Sequence, residues 1–133
     1  MPTAANPRPS GVTFAAVAMM VLAGLHLVYG VSELADNVWV LEKTDGLAAG
    51  DLWIWGIVDT VAALFLFVAG ASLLGGGTFG QVVGLVWASL SAVRWLYWIP
   101  ASPELSVVMV AVDAAIILSL TGNPQFFGAR ARR

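Results

Sequence analysis

The sequence predicts an all-α membrane protein, a transmembrane four-helix bundle that is antiparallel and runs up-down-up-down. Of its 133 residues, 59% are hydrophobic and only 11% charged, and the mean hydropathy is +0.87, too apolar for a soluble domain of this size. Four stretches are apolar almost all the way round, each near the roughly 20 residues that cross a bilayer. Glycine, proline and charged residues collect between those stretches, where turns belong.

Residues 1–11 hold Pro7, Arg8, Pro9 and Gly11 and read as a disordered cytoplasmic tail. The first helix is expected over about 12–32. Its apolar run exceeds the 7 to 15 residues of a signal-peptide core and shows no clear A-x-A cleavage site, so it is read as retained. Residues 33–51 carry Glu33, Asp36, Glu42, Asp45 and Asp51 against Lys43 alone and form an acidic external loop, with Val38, Trp39, Val40 and Leu41 apolar enough to lie on the membrane interface. The second helix is expected over 52–74. Gly75, Gly76, Gly77 and Thr78 make a tight turn, so the third helix, 79–99, runs back beside it. Pro100 and Pro103 bracket a second short turn, and the fourth helix covers 104–120. Residues 122–133 are a basic cytoplasmic tail, with Phe126 and Phe127 expected at the interface and Arg130, Arg132 and Arg133 in water. The four spans with their connections, 12–121, thus form one transmembrane domain.

Arg8 and the three terminal arginines place both termini in the cytoplasm by the positive-inside rule, with Lys43 the one opposing charge. The acidic loop and the Pro100 turn are then outside. Scarce lysine among abundant alanine, glycine and valine suits a GC-rich genome, hence a high-GC bacterium and its cytoplasmic (inner) membrane. A net charge of −2 offers no basic face for nucleic acid. With no cysteine, disulfides, thiol catalysis and iron–sulfur ligation are excluded.

The Arg8, Pro9, Ser10, Gly11 lead into helix one, Trp55 and Gly56 at the start of helix two, Val82, Val83 and Gly84 in helix three, and Ala111, Val112 and Asp113 in helix four carry a resemblance. Over about residues 8–121 the chain resembles a domain-of-unknown-function family of small four-span membrane proteins of high-GC, actinobacterial-type bacteria. The resemblance implies a membrane-embedded four-helix unit with no assigned activity, and it matches neither Asp59 nor Arg94 to a family pattern.

Four ionisable residues interrupt the spans: His26, Asp59, Arg94 and Asp113. Counted from the outer helix ends they lie about 8 to 14 Å deep at about 1.5 Å per residue, so they are expected to form one intramembrane polar layer. A charge in hydrocarbon costs about 2.5 to 3.5 kcal/mol even on insertion scales, so these side chains should turn inward and pair, with Arg94 bridging Asp59, Asp113 or both. The bland reading is an ion-pair cluster that fixes helix register. The sharper one notes that two carboxylates against one guanidinium leave a surplus negative charge, which a protonated His26 or a protonated Asp113 would neutralise, so the layer would relay protons or hold a cation.

Gly80, Gly84, Ala88 and Ala92 form a small-residue ladder on helix three, suited to close helix packing. Trp53, Trp55, Trp95, Tyr97 and Trp98 read as an interfacial belt rather than a substrate cage. Gly75, Gly77 and Gly80 match G-x-G-x-x-G, but no strand precedes them, so they are a turn. One histidine makes neither a zinc site nor a bis-histidine haem site, so no metal and no cofactor is expected.

The expected function is therefore a non-enzymatic accessory subunit or scaffold in the lipid bilayer, a homo-oligomer or part of a larger membrane complex, packed through its small-residue faces. The alternative is a small oligomeric proton- or cation-coupled transporter or channel built on the polar layer. An enzyme acting on a quinone or lipid ranks last, because no redox centre is in sight.

Overall fold

The computed structural model describes residues 8–35, 52–100 and 102–128. The acidic loop from Asp36 to Asp51, residues 1–7 and the terminal Arg130, Arg132 and Arg133 lie outside the described residues. The elements are α1 (Ser10–Leu34), α2 (Leu52–Leu74), α3 (Thr78–Trp98), α4 (Pro103–Thr121) and a short α5 (Pro124–Gly128). The first four are long and apolar enough to cross a membrane. They form an antiparallel four-helix bundle in which each helix packs on its chain neighbour and α4 returns to α1. There is no strand among the described residues.

The most extensive contact joins α1 to α2. It follows from two matched runs of small residues at seven-residue spacing, Ala16, Ala23 and Gly30 on α1 and Gly56, Ala63 and Gly70 on α2, all buried. Gly30 lies against Gly56 and Gly70 against Ala16, in antiparallel register. A methyl group on Gly30 would meet Gly56 O at 2.9 Å and Thr60 N at 2.8 Å, so only glycine lets the two backbones approach this closely. A seven-residue period keeps that seam facing its partner along the whole helix pair.

The bundle has two ends. At the glycine-turn end, Gly76 takes φ of +73°, and Ser72 O accepts from Gly75 N and Gly77 N at 3.0 and 2.9 Å. Ser72 Oγ then accepts from Gly80 N at 3.2 Å, so α2 supplies the cap that the first turn of α3 lacks. The carbonyls ending α4 are met in the same way: Gln81 Nε2 donates to Leu120 O at 3.3 Å and Asn123 Nδ2 to Ser119 O at 2.9 Å.

The C-terminal phenylalanines differ from expectation. The sequence placed Phe126 and Phe127 at the interface, but α5 folds back so that Phe127 is buried in the core cluster and Phe126 packs against Gly76. The two rings meet edge to face at 5.3 Å, which closes the glycine-turn end with apolar surface. The core there is Val12, Met19, Leu66, Leu73, Ile116 and Leu120 with their alanine neighbours.

The small-residue ladder of α3 is consumed inside this core. A side chain on Gly80 would strike Ala69 O and Leu73 of α2, and one on Gly84 would meet Leu120 Cδ1 at 2.8 Å and Met19 Sδ at 3.0 Å. Ala88 is buried and Ala92 half-buried. The ladder expected to dock other subunits is thus the contact of α3 with its own bundle, because here the neighbouring helices are the closest available surface.

Candidate functional site

At the other end, where α1 finishes, α2 begins and α3 turns into α4 at Pro100, the interior changes character. The four buried polar residues of the described chain, Glu33, Asp59, Ser106 and Asp113, all lie between the middle of the bundle and this proline-turn end.

The α1–α2 seam fixes the first pair. His26 stands between Ala23 and Gly30, and Asp59 between Gly56 and Ala63, so the register that seats the small residues also sets His26 opposite Asp59. His26 Nδ1 lies 3.1 Å from Asp59 Oδ1, and the bond's proton rests on Nδ1 when Asp59 is ionised. The imidazole edge also contacts Trp87 of α3, centroid to centroid 5.1 Å at 85°. The sequence suggested Arg94 as the partner of Asp59, and the structure gives that place to His26.

Arg94 lies elsewhere. It is exposed on the outward side of α3, with Cζ 5.9 Å from the Trp98 ring centroid, and among the described residues no carboxylate is within ion-pairing distance. It is one helical turn from the end of α3, roughly 6 Å by helical rise, whereas Asp113 is about ten residues into α4, roughly 15 Å. By helical rise the four ionisable residues thus lie roughly 6 to 15 Å from the proline-turn ends of their helices, Arg94 nearest and Asp113 farthest.

Glu33 was assigned to the loop by sequence, but α1 continues through Leu34 and turns Glu33 inward, 8% exposed. Its electrostatic neighbours are Asp59, Arg94 and His26. The signal was available: Glu33 is seven residues from His26, two turns along the same face. Ser106 relates to Asp113 in the same way on α4, and the sequence reading did not single it out.

Asp113 is fully buried, and neither carboxylate oxygen has a hydrogen-bond partner. Ser91 of α3 is beside it, short of a well-formed hydrogen bond. Ser106 Oγ, Thr60 Oγ1 and Glu33 Oε2 are likewise buried without partners. All four spanning helices thus contribute polar atoms to one half of the bundle, and several of those atoms are unsatisfied, which is unusual for groups held only for packing. No three His, Asp or Glu side chains among the described residues gather closely enough to hold a metal ion.

The aromatic residues cluster at the same end. Trp53, Trp55 and Tyr97 are exposed, Trp95 and Trp98 are half-buried, and the last two meet edge to face at 6.3 Å.

A family model described as Domain of unknown function (DUF7144) matches residues 11–125. The chain belongs to this family. The matched region takes in all four spanning helices and every polar residue of the proline-turn half. No curated protein and no solved structure matches the chain.

Proposed function

We propose that this chain is a non-enzymatic subunit of the bacterial cytoplasmic membrane, both termini cytoplasmic, that packs against another membrane-spanning protein through the outward face of α3. Past Ala88, α3 carries no buried residue, and Leu90, Val93, Leu96 and Tyr97 are exposed along that face. The observation that carries the reading is Arg94 among them, an exposed guanidinium on a spanning helix that makes no ion pair among the described residues. One turn from the helix end its cost in lipid is below the roughly 2.5 to 3.5 kcal/mol of a charge at mid-membrane, and a partner helix presenting a carboxylate or free carbonyls would remove what remains. Arg8 at the glycine-turn end supports the orientation. The non-enzymatic part is supported by the lack, among the described residues, of a nucleophile and base set around His26, which is already held by Asp59.

The test is gentle-detergent affinity purification of the tagged protein from its own membrane, followed by native mass spectrometry. A stoichiometric partner is expected, cross-linked by a photoreactive residue placed at Val93 and released by Arg94→Glu while the bundle stays folded. A monomer, or a complex indifferent to Arg94→Glu, would sink the reading, and a homo-oligomer released by it would make the partner a second copy.

A further inference from the structure

Asp113 sits near the middle of α4 with no exposed surface and two unpartnered oxygens. The charged and titratable groups on the helices around it are few. From α1 come His26 and Glu33, from α2 Asp59, and from α3 Arg94, while α4 itself brings no other charge on that face. His26 is engaged with Asp59, and Arg94 points away over Trp98. The nearest polar side chain is therefore a hydroxyl, Ser91, and among the described residues no cation pairs with the carboxylate. A bare carboxylate at this depth, unpaired and unbonded, is among the least favourable arrangements a membrane interior allows. An alkali cation would need a shell of oxygens, and two carboxylate oxygens with one hydroxyl do not supply it. A proton needs one oxygen.

We propose that Asp113 is a proton-binding site in the interior of the bundle that exchanges with the proline-turn side. A carboxylate oxygen of Asp113 takes a proton from hydronium, leaving water, and the side chain passes from charge −1 to neutral. Ser106 marks the way out. Its unpartnered hydroxyl lies on the same face two turns nearer the turn, roughly 10 Å along the axis, and α3 beyond Ala88 carries only half-buried and exposed residues. Glu33 and the His26–Asp59 pair stand at the same end as the polar groups a proton meets next. This site is independent of the α3 docking face, since Asp113 and Arg94 lie on opposite sides of the question: one fully buried, one exposed.

The test uses the full chain purified and reconstituted in liposomes. Infrared difference spectra at neutral pH are expected to show the carbonyl stretch of a protonated carboxylic acid that Asp113→Asn removes and that shifts on transfer to D2O. Ser106→Ala is expected to keep the band and slow its shift. Dicyclohexylcarbodiimide, which adds across a protonated carboxyl without a leaving group, is expected to label residue 113 once per chain, and raising the pH is expected to abolish labelling. A spectrum without a band removed by Asp113→Asn, a band that D2O never shifts, or protection of residue 113 by sodium at fixed pH would each overturn the proposal. Should Asp113→Asn fail to fold, labelling of the unsubstituted chain and the Ser106→Ala exchange rate decide the matter.

Discussion

Toward the glycine turn, the bundle interior is Met19, Leu66, Leu73, Ile116, Leu120 and Phe127, none more than 2% exposed; toward the proline turn, it is Glu33, Asp59, Ser106 and Asp113. The first half is finished. Its helix ends are capped by Ser72, Gln81 and Asn123, and its base is filled by α5. The second half leaves polar atoms without partners, and α3 carries no fully buried residue there after Ala88. In lipid, helix association comes from close packing and polar contacts rather than from escaping water. The difference teaches that one half is closed by packing, while the other tolerates local cost, as the low-stability regions that serve function do in general.

Substitutions break or sharpen that contrast in a definite order. The largest effect is expected at the seam both halves share. In Gly56→Leu the new side chain meets Leu34 N at 2.9 Å and Gly30 O at 3.0 Å, backbone that cannot yield, so the purified protein should lose its folded, monodisperse form in size-exclusion and circular dichroism. Next, Leu66→Ala in the finished half should cost about 2 to 5 kcal/mol in an SDS unfolding titration.

Asp113→Leu should act in the opposite sense, stabilising by about 1 to 4 kcal/mol in the same titration, because a buried carboxyl group without a hydrogen-bond partner, even when protonated, gives way to an apolar side chain. A loss of stability there would mean that Asp113 fixes helix register. His26→Ala strands Asp59 and should cost about 1 to 3 kcal/mol, most of it recovered when Asp59 is also made leucine. Smallest of all, Tyr97→Phe, on a side chain 77% exposed, should stay within about 0.5 kcal/mol.

The spans and turns were readable because a bilayer demands long apolar runs and because Gly75–Gly77 and Pro100 interrupt them. The faces were harder. In a membrane chain the lipid-facing and core-facing sides are equally apolar, so hydrophobic periodicity is silent and small residues must be followed instead. The ladder of α3 stands out in the sequence, whereas the matched runs of α1 and α2 carry the main seam and could be seen only by comparing two helices. That register gives Asp59 to His26 and leaves Arg94 outside. Glu33 was misplaced because a charge at a span's edge reads as loop, although one more turn of helix aims it inward. The burial of Phe127 depends on a five-residue helix whose direction no local pattern sets.

The position of Phe127 has a consequence for how the molecule is made. It fills the base of a core lined by α1, α2 and α4, yet it follows all of them in the chain. During synthesis from the N-terminus, a nascent chain whose fourth span has entered the membrane still lacks the side chain that covers its base. The core at that end is complete only when α5 arrives.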